Sequence, residues 1–190
     1  MTRRLIYLTH AEVVIDPDTP VPNWGLSAKG LARHRAFSAD PALDGVTSVY
    51  ASTERKAIEG AEPVAARRGL SLRQVPALGE NDRSATGFLP PPAFEAMADA
   101  FFARPDEAVE GWEPARLAQV RIVTALVTLA ALDETDGDIL VVAHGGVGAL
   151  LRCQLKGIAI TRAQDQPPGG GCWFETDLAL SMAPDDWRRI

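Results

Sequence analysis

The chain has 190 residues, 46% hydrophobic and 23% charged, enough for one domain with its own core. Its net charge of -6 argues against nucleic acid as the main partner, because a phosphate backbone calls for a basic surface, although a small cationic pocket stays open. Met1-Thr2-Arg3-Arg4-Leu5 lacks the long apolar stretch of a signal peptide. The longest apolar run, residues 122–132, is broken by threonines, so no membrane-crossing helix is expected. Cys153 and Cys172 lie in apolar surroundings and read as buried thiols of a reducing compartment, which predicts a cytoplasmic protein.

In chain order, residues 5–8 (Leu-Ile-Tyr-Leu) read as a buried strand running through Thr9 into His10. Residues 13–25, rich in proline and aspartate, are a loop, and Ser27 caps a helix through about Ala39. Residues 46–51 form a second strand. Thr53 is placed to cap a second helix with Ala57, Ile58, Ala61, Val64 and Ala65 on its apolar side, a proline at 63 and a stop at Gly69. Residues 70–75 are a short third strand near an edge. A loop follows at 79–92, then a helix from about Pro92 to Ala103 whose Phe94, Phe101 and Phe102 read as local core. Pro114 opens the longest helix, apolar around most of its circumference and therefore expected to be deeply buried. Residues 138–143 are the central strand, leading through His144-Gly145-Gly146 into a helix that ends at Gly157. Gly169-Gly170-Gly171 turn the chain into a last strand at 172–176.

Strands alternating with helices predict an α/β three-layer sandwich, a mostly parallel central sheet with helices on both faces. The chain reads as a single domain, 1–190, with a helical insertion at about 80–112 covering the site. Residues just past the carboxyl ends of strands face the ligand crevice of such a sheet. His10 and His144 are both delivered there, and residues 50–57 bring cations at the end of a third strand.

A neutral, oriented imidazole attacks a phosphoryl group when cations and backbone N–H groups hold the phosphoryl oxygens. His10 and His144 supply two imidazoles, Arg55 and Lys56 two cations. Gly145 and Gly146 open a helix N-terminus that attracts anions, and Glu80 is a loop carboxyl able to supply a proton. Duller readings exist for several of these residues. Lys56 also suits a solvated helix lysine near Glu54 and Glu59, Asp82 competes with Glu80, Arg83 suits the surface, and His34, between Arg33 and Arg35, reads as surface. A metal site of His10, Glu12 and His144 has nothing in the spacing to fix its geometry and is set aside.

Taken together, Thr9-His10-Ala11-Glu12, Leu26-Ser27-Ala28-Lys29-Gly30, Ala51-Ser52-Thr53-Glu54-Arg55-Lys56-Ala57, Leu78-Gly79-Glu80 and Val141-Val142-Ala143-His144-Gly145-Gly146 resemble, in order, the motifs of the histidine phosphatase superfamily, which includes phosphoglycerate mutases. The resemblance implies that His10 is the phosphorylated nucleophile, that His144 holds the phosphoryl group, and that Glu80 is the general acid or base. Lys56 falls on the second phosphate-clamping arginine, and Trp112, Glu113 and Arg121 on a segment of mainly structural duty. It implies no metal and no cofactor. The departures are Thr9 where the family has an arginine, and Lys56 where it has another. Lysine is a point charge without the planar two-pronged grip of a guanidinium, and Thr9 offers a hydroxyl without charge, so Arg55 or Arg83 is a candidate substitute.

The implied function is metal-independent hydrolysis of a phosphomonoester through a phosphohistidine on His10, acting on a small phosphorylated molecule or a phosphoprotein. Two alternatives accompany it. One is a weak or inactive member of the same fold that binds an anionic ligand or a partner protein. The other is mutase-like phosphotransfer, which a weak phosphate clamp disfavours. Trp24, Phe88 and Trp173 are candidates for an apolar patch serving substrate or a second subunit, so oligomeric state is left open.

Overall fold

A strand covered on both faces needs apolar residues at successive positions rather than at alternate ones. β1 (Arg4–Thr9) and β4 (Asp138–Ala143) meet that requirement, with Leu5, Ile6, Tyr7, Leu8 and all of Ile139, Leu140, Val141, Val142 and Ala143 fully buried. The computed structural model describes residues 3–190 and places these two strands side by side in the middle of a six-stranded sheet. β2 (Val46–Ala51) and β3 (Leu72–Gln74) extend the parallel part beyond β4. β5 (Cys172–Asp177) pairs antiparallel with β1, and a short β6 (Arg188–Arg189) pairs antiparallel with β5, giving the order β3-β2-β4-β1-β5-β6. The strand expected to be last is therefore followed by one more.

Side chains alternate across the sheet. Leu5, Tyr7, Ile139, Val141 and Ala143 face one layer with Phe174, packed under α4 (Ala115–Leu132) and α5 (Gly145–Leu155) and joined by Phe101 and Phe102 of α3 (Pro91–Ala103). Ile6, Leu8, Leu140 and Val142 face the other, with Phe37 of α1 (Ala28–Phe37) and Ala57, Ala61 and Val64 of α2 (Arg55–Arg68). The mostly parallel three-layer α/β architecture is as the alternation of elements predicts.

Several local expectations change. Ser27 does cap α1, its Oγ accepting from Gly30 N at 3.0 Å. Thr53 does not cap α2. It is exposed, Glu54 stands at the N-cap, and the Ser52 Oγ accepts the Glu54 N–H at 3.0 Å. α4 is buried on one side only, and Leu117, Val120, Val127 and Leu132 are exposed, because a helix lying on a sheet face has core beneath it and nothing above. By length and apolarity alone, α4 also passes for a membrane span, which the threonine-broken pattern does not lead one to expect. Its inner face of Ala118, Ile122, Leu126 and Leu129 belongs to the core beneath. Within residues 80–112 the one α-helix is α3, and most of the remainder is irregular. Trp173 is buried beneath the Arg188 guanidinium at 4.2 Å, which removes it from the surface patch. His34 is buried too, with its Nε2 accepting the Ala11 N–H at 3.1 Å.

Gly30 carries the helix α1 past the loop behind β1. A Cβ on Gly30 would stand 2.2 Å from the Glu12 backbone oxygen. Alanine should stabilise a helix interior over glycine by up to about 1 kcal/mol. Here we expect the reverse: Gly30→Ala should lower stability by about 1–3 kcal/mol, the range of overpacking, and thermal unfolding reads the sign directly.

Candidate active site

Parallel pairing sets Thr9 opposite Ala143, so the next residues, His10 and His144, leave the sheet side by side. Their rings lie edge to face with centroids 5.3 Å apart. His10 Nδ1 is 2.9 Å from the Ala11 carbonyl oxygen. A carbonyl only accepts, so Nδ1 carries the proton, and in the neutral ring the lone pair is on Nε2. Burial, with the Lys56 charge, lowers the His10 pKa to about 4, so the ring is neutral at pH 7. His144 is fully buried, and burial outweighs the nearby Glu54 and Glu80 to bring its pKa to about 3. Its Nε2 lies 2.7 Å from Ser52 Oγ and 3.3 Å from Glu54 Oε1. Tyr7, buried beneath, donates its hydroxyl to the His144 carbonyl at 2.9 Å and so holds the backbone there.

Glu80 reaches the same end of the sheet from its loop. Its carboxylate accepts the N–H groups of Gly146 (3.1 Å) and Val147 (2.9 Å), the first turn of α5. The anion-attracting helix terminus expected for phosphate is thus met by a carboxylate of the chain itself. Gly146 permits the approach, because a Cβ there would stand 2.8 Å from Glu80 Oε1. Arg121 of α4 holds the loop in place. It donates to the carbonyls of Ala77 (2.9 Å), Gly79 (2.9 Å) and Glu80 (3.1 Å), and grips both oxygens of Glu113. The structural duty expected of Glu113 and Arg121 has a specific object, the position of Glu80.

The cations fall out differently. Lys56 is buried, and its ammonium is held by the Glu54 carboxylate and by the Val21 carbonyl at 3.0 Å. Arg55 does not join the site. It points outward and pairs with Glu59 at 2.7 Å, as a residue one step along a helix from Lys56 must. Arg83 lies at the rim, its guanidinium over the rings of Phe94 (5.2 Å) and Trp112 (5.6 Å). The Thr9 hydroxyl is fully buried, 2.5 Å from Gln166 Oε1 and accepting from Cys172 N at 2.9 Å, so it joins the end of β1 to the start of β5 and to the Gln166 loop. The Gln166 amide packs on Gly145, where a Cβ would be 2.3 Å from Nε2. Glu12 is turned to Ser27 (2.8 Å) and Lys29 (3.5 Å).

Ser52, Glu54 and Gln166 join the site although the sequence assigns them no role: the first two lie within the 51–57 motif, and Gln166 lies outside every motif. Glu54 is visible in the sequence only as a charge near Lys56. Burial alone would raise its carboxyl, yet the His144 ring, the Lys56 ammonium and the Glu80 N–H outweigh it and bring the pKa to about 2. Above Glu54 and Glu80 opens a cavity of about 380 Å³ walled by residues 17–21 and by Asn81, Arg83 and Phe88. Beside it is a smaller apolar chamber of about 230 Å³ with Ile15, Trp24, Phe88, Leu89 and Phe94 on its walls. Trp24 and Phe88 are 5.8 Å apart, so this part of the expected apolar patch exists and adjoins the site.

The lowered imidazole pKa values have a consequence for acid stability. His10 and His34 sit at about 4 and His144 at about 3, all lowered first by burial. The unfolded chain takes up these protons near pH 6.5 and the folded chain does not. Their contribution is therefore intact above pH 6.5 and is lost as pH falls towards 4, by up to about 1.4 kcal/mol per pH unit for each. Denaturant unfolding at pH 7.5, 6 and 5 should show this steep decline, and a flat profile would contradict three rings held neutral in the folded chain.

A family model for the histidine phosphatase superfamily (branch 1) matches residues 11–178. No curated protein matches the chain. Among solved structures, a mycobacterial glucosyl-3-phosphoglycerate phosphatase aligns at 21% identity and a TM-score of 0.75, over 99% of this chain and 97% of that one. The same mycobacterial enzyme in complex with VO3 aligns at 21% identity and a TM-score of 0.78, over 99% and 100%. A putative alpha-ribazole-5'-P phosphatase from Escherichia coli aligns at 19% identity and a TM-score of 0.69, over 100% and 96%. At such identities the structural likeness is one of fold. With the family match spanning most of its length, the chain belongs to the histidine phosphatase superfamily, branch 1.

Proposed function

We propose that the protein is a phosphatase that hydrolyses a phosphomonoester through a phosphohistidine on His10. The observation that carries this reading is the His10 ring, pinned through Nδ1 to the Ala11 carbonyl and neutral, so that Nε2 is the nucleophile beside His144. Nε2 attacks phosphorus, the bond from phosphorus to the leaving oxygen breaks, and Glu80, in its protonated form for this step, gives that oxygen its proton and becomes the carboxylate. Water then attacks phosphorus, the P–N bond breaks, and the water proton returns to Glu80. Membership of the superfamily supports the chemistry, and the VO3 complex of the mycobacterial neighbour is compatible with it. The apolar chamber beside the cavity suits the uncharged body of the leaving group. The acidic net charge fits a small phosphorylated molecule or phosphoprotein rather than nucleic acid.

One observation favours a second reading, oxyanion binding with little turnover. Lys56, the ammonium near the histidines among the described residues, is already paired with Glu54, so transition-state charge meets a weaker counter-charge than a free arginine gives.

Phosphate release from a panel of phosphomonoesters, in the presence of a chelator, separates these readings. We expect turnover that is lost in His10→Ala. Activity retained in that variant would sink the phosphohistidine route, and no turnover above it would leave the binding reading. Arg121→Met should cut turnover roughly tenfold or more by releasing the Glu80 loop, in the range of losing part of a general acid, with little change in phosphate binding. Equal losses in binding and turnover would show that Arg121 acts on the whole fold instead.

A further inference from the structure

The charges around the histidine pair do not add up to a site for a dianion. Lys56 is buried and spent on Glu54. Glu80 occupies the α5 N-terminus. Arg121 is bound to Glu113 and three carbonyls, Arg55 faces Glu59, and Arg83 lies on Phe94 and Trp112. Arg33, the other cation near His10, donates to the carbonyls of Ile190, Gly169, Gly170 and Gly171. Position 9 is a threonine whose hydroxyl is buried against Gln166. Among these groups Glu54 has the central place. Its Oε1 is 3.3 Å from His144 Nε2 and accepts the Glu80 N–H at 2.9 Å, while its Oε2 holds Lys56. A tetrahedral oxyanion bonded to His144 and Lys56 must displace this carboxylate or sit against it.

We propose that Glu54 sets the charge selectivity of this pocket, so that a tetrahedral oxyanion with one negative charge is accepted in preference to one with two. The proposal rests on the reading of the histidine pair as an oxyanion site. For a substrate it means a monoester whose phosphoryl group is protonated and carries a single charge, rather than a fully ionised monoester. The reason is electrostatic. A dianion adds a second unit of repulsion against Glu54, and it gains only a lysine whose charge is already compensated. Like charges set against each other in a recognition site suppress the wrong ligand.

Tungstate and perrhenate test this directly, being tetrahedral oxyanions of similar size with two charges and one. Calorimetric titration of the wild-type protein should give perrhenate binding at least as tight as tungstate. Glu54→Gln keeps the shape and the acceptor for the Glu80 N–H and removes the charge. In this variant the ratio of the two affinities should move at least tenfold towards tungstate. A ratio unchanged within twofold, or both affinities moving together, would overturn the proposal. The wild-type measurement stands without any variant: tungstate bound tenfold more tightly than perrhenate overturns it even if Glu54→Gln fails to fold. Binding rather than turnover is read, so absence of phosphatase activity does not decide the result. Failure of both ions to bind either protein overturns the oxyanion reading along with this one, whereas tight wild-type tungstate binding overturns only the selectivity.

Discussion

The parallel pairing of β1 with β4 is the constraint on which the rest depends. Both strands are apolar through their centres, so they belong in the middle of a covered sheet, and the register that sets Thr9 against Ala143 ends both at the same level. Two residues far apart in sequence are thereby brought to a ring separation of 5.3 Å. A slip of one residue would turn one histidine to the opposite face. Nothing local to either histidine secures this; it follows from burying Leu5 to Leu8 and Ile139 to Ala143 together.

Around that pair the chain uses its own carboxylates where a phosphatase site is expected to present positive charge. Glu80 caps α5, and Glu54 neutralises Lys56. Both arrangements stabilise the folded protein, since a buried lysine or an uncapped helix terminus is costly when left alone. They also mean that a ligand competes with internal anions rather than finding open counter-charge. The missing guanidinium at position 9 has the same effect from the other side, where Gln166, a neutral amide, fills space between Thr9 and Gly145.

The three imidazoles share one physical state. His34 and His144 are buried and His10 is half-buried, and in each the loss of hydration penalises the cation more than the neighbouring acceptors and carboxylates reward it. For His34 this serves structure, because its Nε2 must stay unprotonated to accept the Ala11 N–H. Ala11 then presents its carbonyl to His10, so a histidine that reads as surface in the sequence supports the orientation of the one that reads as nucleophile.

The amino-acid sequence by itself determined the layer architecture, the strand exits at His10 and His144, the loop placement of Glu80 and the cap at Ser27. These follow from apolar runs, glycine and proline punctuation and motif order, all of which are local. Only the tertiary structure decided which charges meet. The side-chain direction of Lys56 against that of Arg55, the burial of Thr9 and His34, the one-sided exposure of α4 and the capture of Lys56 by Glu54 depend on what packs against each residue from elsewhere in the chain. A sequence states that a charge is present. Its partner, and so its availability to a ligand, is set by distances of a few ångströms between segments that the chain order does not relate.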